Sequence, residues 1–330
     1  MMELGIRRRR ILTLPLLAAG AHAKAATVPA QPQDPRVVQL QGRAAIDRVA
    51  VLDAVQVGER IIAVGVRGQV FTSDDRARRQ WQPRPTGIER TLTSVVSLDG
   101  KRLVALGHHG VVLVSDDLGA HWTGPPVEPG PAPALLSGLA LADGRLAAVG
   151  GYATLRVSAD GGRHWTALEV GGPEADPHFY GIAQVDRSLV LVGEAGLLAR
   201  TDAPEGPWQR LQSPYPGSLF GVAAMSGGLL VAYGMRGTVM RSADRGRSWT
   251  VLASGTRSPF FSATLLKDGR LVLAGKDGAT ALVSAAADQV ETRYTFDRRT
   301  VSKVLEDADG GWLLFGDAGV RRVRWNEFSK

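Results

Sequence analysis

Short apolar runs ended by glycine recur along the whole chain. Ile61–Gly68, Leu103–Gly110, Leu189–Gly196, Leu229–Gly237, Leu271–Gly278 and Leu313–Gly319 each finish in Gly-x-x-Gly. A degenerate copy lies at Leu146–Ala153, where Ala153 stands in for the second glycine. The leading glycines are Gly65, Gly107, Gly150, Gly193, Gly234, Gly275 and Gly316, spaced 41 to 43 residues apart. A constant period of this length marks a repeat architecture.

Each copy divides into four short strands. In the second copy these are Leu92–Leu98, a tight turn at Asp99-Gly100, Arg102–Leu106, the Gly107–Gly110 turn, Val111–Ser115, and a last strand from Trp122 to just before Pro125. Runs this brief, rich in Val, Leu and Ile, are too short for amphipathic helices and read as strands. Four strands per repeat of this period predict an all-β, seven-bladed β-propeller of four-stranded antiparallel blades. The blades are expected to start near residues 47, 92, 136, 179, 219, 260 and 300. A lone blade cannot bury both faces, so the ring must close. The last repeat supplies Val301–Leu305, Trp312–Gly316 and Val320–Trp325 but no fourth strand. Arg36–Gln41 is left over near the start, and is expected to pair beside Val320–Trp325 and complete blade seven.

A second motif sits between the third and fourth strands. Ser115–Trp122, Ser158–Trp165 and Ser242–Trp249 all fit S-x-D-x-G-x-x-W. The residues that define it are Ser115, Asp117, Gly119 and Trp122; Ser158, Asp160, Gly162 and Trp165; and Ser242, Asp244, Gly246 and Trp249. Ser73–Trp81 keeps Ser73, Asp75 and Trp81, and Thr201–Trp208 keeps only its ends. The chain must reverse tightly here. Short Ser and Asp side chains can accept from turn N–H groups, Gly accepts positive φ, and Trp can cover the turn. The recurring acids are expected at separate blade peripheries, so a structural role is favoured over catalysis or metal binding.

On these motifs the chain resembles the Asp-box (BNR) propellers. Within them it is similar to the photosystem II stability and assembly factor family and its relatives in non-photosynthetic bacteria. The likeness covers about Arg36 to Trp325. It implies a seven-bladed exported protein that helps membrane-protein complexes assemble through an arginine-bearing face. By that likeness the partner is a membrane-protein complex or a transporter component.

Composition narrows the chemistry. The 330 residues are 44% hydrophobic and 22% charged, ordinary for a folded protein. Absence of cysteine excludes disulfides, thiolate metal sites and cysteine nucleophiles. Arg7–Arg10, the apolar run Ile11–Ala21 and Ala21-His22-Ala23 follow the order of a secretory signal, and Arg8-Arg9-Arg10-Ile11-Leu12 also fits a twin-arginine pattern loosely. The expected division is a signal over 1–23, a Pro-rich leader over 24–35 and the propeller over 36–330. The apolar run falls well short of the ~20 residues that span a bilayer, so no stable membrane insertion is expected. Loss of Arg7–Arg10 and Glu3 with the signal would lower the formal charge from +7 to +4. That modest charge argues against nucleic-acid binding. The expectation is a monomeric, periplasmic or lumenal protein, soluble or peripherally attached.

Candidate function gathers on the face opposite the boxes, where the turns between second and third strands and the inter-blade connections emerge. The turns carry Arg67, His108, His109, Tyr152, Glu194, Met235, Arg236, Lys276, Asp277 and Asp317. The connections add Arg90, the 175–180 stretch ending in Tyr180, Tyr215, Arg257, Phe260, Arg298 and Arg299. Arg67, Arg90, His109, Tyr152, Tyr180, Arg236, Arg257 and Lys276 are the partner-binding candidates, since Arg and Tyr make good contact anchors. His108 and His109, adjacent in extended chain, would point apart and chelate poorly. No catalytic residue, metal or cofactor is expected. The alternative, a sialidase-like hydrolase or carbohydrate-binding propeller, finds only Glu194 with Tyr215 as a pair, and the chain has no Arg-Ile-Pro segment.

Overall fold

The apolar runs before each leading glycine are continuous rather than alternating, because those strands are buried on both faces. Ile61, Ile62, Ala63 and Val64 have no exposure, and Leu103–Leu106, Leu146–Val149 and Leu271–Ala274 match them. In the computed structural model, which describes residues 46–74, 80–124, 132–171, 176–307 and 309–329, each such run is the second strand of a blade. Neighbouring blades cover it from either side.

The molecule is a seven-bladed β-propeller of antiparallel sheets, with no α-helix among the described residues. Blade 1 is Val51–Val57, Arg60–Gly65, Val70–Ser73 and Gln82–Arg84, paired in that order. The innermost strands of blades 2 to 7 are Leu92–Ser97, Leu135–Ala140, Phe179–Val185, Leu219–Ala224, Phe260–Leu265 and Val301–Glu306. Blades 1, 3, 4, 5 and 6 have four strands among the described residues. In blade 2 the fourth strand shrinks to one bridge, Val114 to Thr123, with Trp122 outside it. Blade 7 shows three strands.

The ring closes between blades 7 and 1. Ile46, Val51, Ala54, Ile61, Ala63 and Phe71 pack with Leu305, Leu313 and Phe315 in one cluster. Across the same seam the Ser302 hydroxyl donates to the Val51 carbonyl at 2.5 Å, and Lys303 Nζ lies 3.4 Å from Asp53. The expected closing strand, Arg36–Gln41, lies outside the described residues, as do the signal and leader. The third strand of blade 7 ends at Val323, earlier than expected. Trp325 starts a 3-10 turn, and Ser329 pairs with Tyr294 on the outer strand of blade 6. Trp325 and Phe328 thereby cover Trp312, with ring centroids 5.2 and 5.7 Å away.

The geometry explains the Gly-x-x-Gly period. The leading glycine has extended φ, so conformational freedom is not its purpose. A β-carbon at Gly107 would lie 2.2 Å from the Thr91 carbonyl oxygen, which instead accepts the His108 N–H at 2.9 Å. The same clash recurs at the other six leading glycines, at 1.8 to 2.3 Å. The carbonyl just before an inner strand is thus held by the turn of its own blade, and only glycine leaves room.

The boxes are locally closed. The Ser115 hydroxyl accepts the Gly119 N–H at 2.8 Å and meets Asp117 Oδ1 at 2.9 Å. Asp117 accepts the His121 N–H at 2.9 Å, and the Trp122 indole donates to the Gly119 carbonyl at 3.1 Å. Ser158–Trp165 and Ser242–Trp249 repeat these bonds. The His121 N–H and ring, with Ser115, hold the Asp117 carboxyl down to about 2, despite some desolvation. For Asp244, burial works upward but Ser248, Ser242 and Arg247 outweigh it, again to about 2. The box glycines pack on the preceding blade: a β-carbon at Gly119 would sit 3.2 Å from Ile62. Of the first box, Asp75 lies outside the described residues, and in blade 4 the Trp208 indole N–H is buried without a partner among the described residues.

Candidate functional site: a basic and aromatic face around the channel mouth

Strand register sorts the residues onto two faces. The start of each inner strand pairs with the end of the second, as Leu92 does with Gly107. Inter-blade connections and second-to-third turns therefore share one face, here the upper. The boxes and first-to-second turns share the lower.

The upper turns have an unusual backbone. Their central residue adopts left-handed φ in six blades: Arg67 at 55°, His109 at 58°, Tyr152 at 54°, Ala195 at 52°, Arg236 at 56° and Asp277 at 56°. This region costs a non-glycine residue roughly 1–2 kcal/mol. His108 and His109 lie in the tight turn expected from Gly107–Gly110, with His109 at left-handed φ, so the extended-chain geometry used to set them apart does not describe them. Among the described residues no cluster of three His, Asp or Glu could hold a metal ion.

Arg67, Arg90, His109, Tyr152, Arg236, Arg257 and Lys276 all lie exposed on the upper face, and Tyr180 is half-buried there. Arg67, Arg90, Arg236, Arg257 and Lys276 make no ion pair or side-chain hydrogen bond among the described residues. They stand on one face; of the aromatic candidates, Tyr152 and Tyr180 are linked through His178.

Tyr152 meets His178 edge-on at 5.2 Å, and His178 lies 6.2 Å from Tyr180. Tyr180 meets Phe220 at 5.5 Å, and Phe220 lies 5.7 Å from Phe261. These five rings form a crescent from blade 3 to blade 6. Its anchor is His178, whose Nδ1 accepts the Tyr152 N–H at 3.1 Å and whose own N–H donates to Glu194 at 3.2 Å. Burial, and secondarily the Glu194 charge, raises the Tyr180 phenol above its ordinary pKa.

The crescent exists because of a bulge. Every inner strand slips register once near its upper end, as between Phe260 and Ser262, and the extra residue faces the channel mouth. These residues are Leu52, Thr93, Leu136, Tyr180, Phe220, Phe261 and Ser302. Thr93 and Ser302 turn their hydroxyls back onto the Leu135 and Val51 carbonyls, both at 2.5 Å. The mouth is therefore ringed by aromatics over blades 4 to 6 and by aliphatic and hydroxyl side chains opposite. Sequence reasoning placed Phe260 here, but Phe260 is fully buried and Phe261 takes the surface, since the bulge displaces the alternation by one. Phe220 and Phe261 were missed, and His178 entered only as part of the 175–180 stretch. Their shared signal was a large aromatic residue just before or after the first residue of an inner strand.

Below the mouth, all seven inner strands line a cavity of about 430 Å³. Asp53 there accepts the Val95 N–H of the next blade at 2.9 Å, and Ser94 accepts that of Gly138 at 3.3 Å. In blade 5 the corresponding residue is Gly221, and the Tyr233 hydroxyl fills its place and meets the Ala263 N–H. Burial, then the Asp53 charge, drives the Tyr233 phenol strongly upward.

Glu194 and Tyr215 line a different cavity, of about 640 Å³, between the Asp176–Pro177 connection and blade 4. Both have structural duties: Glu194 accepts the His178 N–H, and the Tyr215 hydroxyl donates to the Met235 carbonyl at 3.0 Å.

No protein-family model and no curated protein sequence matches the chain. Solved structures do match in fold. A structure of YCF48 bound to a D1 peptide has a TM-score of 0.66 at 19% identity, over 84% of this chain and 92% of that one. YCF48 from Cyanidioschyzon merolae has a TM-score of 0.64 at 15% identity, over 85% and 96%. The extracellular domain of a putative one-component system from B. thetaiotaomicron has a TM-score of 0.66 at 15% identity, over 84% of this chain and 38% of that one. At such identities the likeness establishes a shared propeller fold. Among the described residues no helix is long and apolar enough to cross a membrane.

Proposed function

We propose that this protein is a non-enzymatic, exported propeller that acts as an assembly or accessory factor, docking on a membrane-protein complex through its upper face. The observation that carries this reading is the set of exposed cations without ion partners among the described residues, on the face that also exposes a crescent of rings. Arg and aromatic side chains are the residues that most often dominate binding energy at protein interfaces. The fold neighbour YCF48, bound to a D1 peptide, supports the reading by showing that a propeller of this shape can present a peptide-binding surface.

The test is co-purification from membranes with an epitope-tagged chain. Arg67→Glu together with Arg236→Glu should abolish recovery of the partner complex while the thermal midpoint stays unchanged. Recovery equal to the parent chain would show that the face is misassigned. On the same reading the protein works without a cofactor and does not hydrolyse sialosides.

The closing strand belongs to this proposal. Arg36–Gln41 is offered as the fourth strand of blade 7, because Gly319–Val323 has no outer partner among the described residues. Ile46 also packs against Gly319 at the start of that strand, where a β-carbon would lie 2.1 Å from the Ile46 carbonyl oxygen.

A further inference from the structure

The docking reading leaves open what part of a partner the upper face receives. We infer that the crescent binds an extended, unfolded segment with apolar side chains at alternate positions and carboxylates beside them. This inference rests on the docking reading and names the chemistry of its partner.

Spacing is the first reason. Successive rings stand 5.2 to 6.2 Å apart. Alternate residues of an extended chain point to one side and lie roughly 6–7 Å apart. A strand-like peptide following the crescent would place one side chain near each ring in turn.

Ring attitude is the second reason, and it separates a peptide from a glycan. A sugar chain stacks the apolar C–H faces of its puckered rings on exposed aromatic faces. Here neighbouring planes are inclined at 74°, 45°, 67° and 48°. The resulting herringbone offers notches between edges and faces, which suit aliphatic and aromatic side chains.

Exposure and charge complete the case. Tyr152 is 66% exposed and Phe261 38%, and Met235 beside the crescent is also 38% exposed. Large apolar groups that are contiguous rather than scattered mark an interaction site. Arg236 follows Met235 directly, Arg257 lies on the connection leading into Phe261's strand, and Lys276 lies on the upper turn of the same blade. None of these three cations has an ion partner among the described residues, so a segment carrying Asp or Glu next to its apolar residues would satisfy them.

The experiment pans a phage-displayed library of random 12-residue peptides against the immobilised full chain. Enriched peptides are then measured by fluorescence anisotropy. They should show alternating apolar residues with an adjacent Asp or Glu. Affinity should fall at least tenfold with Phe220→Ala plus Phe261→Ala, and also with the highly exposed Tyr152→Ala, which guards against a folding defect. No enrichment, or peptides indifferent to both sets of ring variants, overturns the inference. So does a glycan-array signal that the ring variants remove. Loss of membrane co-purification in the arginine variants, with peptides indifferent to the rings, would leave docking standing and the crescent inference refuted. Ring-dependent peptides with intact co-purification in the arginine variants would refute docking alone.

Discussion

The two faces of the ring use the same residue types to opposite ends. On the lower face arginines are absorbed by the fold. Arg102 pairs with Asp116 at 2.5 Å, Arg163 reaches the same carboxylate from the next blade at 2.9 Å, and Arg245 pairs with Asp186 at 2.5 Å. Arg60 pairs with Asp74 and reaches the Leu118 carbonyl of blade 2. On the upper face Arg67, Arg90, Arg236 and Arg257 have no such partners among the described residues, and several upper turns hold long side chains at left-handed φ where glycine would be cheaper. The lower face is a clasp between blades; the upper face, where Arg299 lies 3.5 Å from Asp317 and Arg298 stacks on Tyr294, still leaves those four arginines available. Exposed ion pairs contribute little stability individually, so the clasp depends more on box packing and turn hydrogen bonds than on charge.

The sharpest way to break this comparison is to damage the clasp and watch the other face. Trp122 is 8% exposed and packs in the core between blades 1 and 2. Trp122→Ala should cost about 3–5 kcal/mol in urea unfolding, with partner binding by the folded fraction unchanged. A parallel loss of binding would mean that the faces are coupled. Gly107→Ala comes next, because its β-carbon must displace the Thr91 carbonyl. Overpacking of this kind costs about 1–3 kcal/mol, and here both stability and upper-face binding should fall, since the turn belongs to both.

Asp244→Ala should cost about 1–2 kcal/mol, comparable to losing a helix cap that accepts turn N–H groups. The pH dependence has a definite sign. The Asp117 and Asp244 carboxyls sit near 2 in the folded protein, below about 3.9 in an unfolded chain. Their stabilisation is therefore full above pH ~4 and is lost as pH falls through about 2. Thermal midpoints measured from pH 5 to 2 should drop in that window, and Asp244→Asn should make the drop shallower. A midpoint rising on acidification would contradict the box geometry. The smallest effect on stability belongs to Arg236→Gly. Relief of left-handed strain offsets the flexibility that glycine adds to the unfolded chain, so unfolding should change by less than about 0.5 kcal/mol. Partner binding should nevertheless weaken, which would separate function from folding at one residue.

Much of the fold was legible because its determinants are local and repeated. The continuous apolar second strands, the leading glycines and the boxes each recur with the blade. Each answers a requirement that recurs too: burial on both sides, passage of a carbonyl, or a tight reversal. The candidate site was only partly legible. Arg67, Arg236 and Lys276 could be placed on one face from turn position alone. Phe260 was misplaced and Phe261 overlooked because a one-residue bulge reverses which side chain faces the channel. His178 was not singled out within the 175–180 stretch because its role depends on Tyr152 and Glu194, 26 residues before it and 16 after. The docking of Ser329 on Tyr294 likewise has no local signature.

Sequence alone determined the number of blades, the order of strands and the identity of the turns, because short-range sterics and two-sided burial leave few alternatives. Only the tertiary structure decided that five rings from blades 3 to 6 join into one crescent and that Ser302 and Asp53 face partners about 250 residues away across the seam. Those contacts depend on how the ring curves and where its strands bulge, and no residue carries that information by itself.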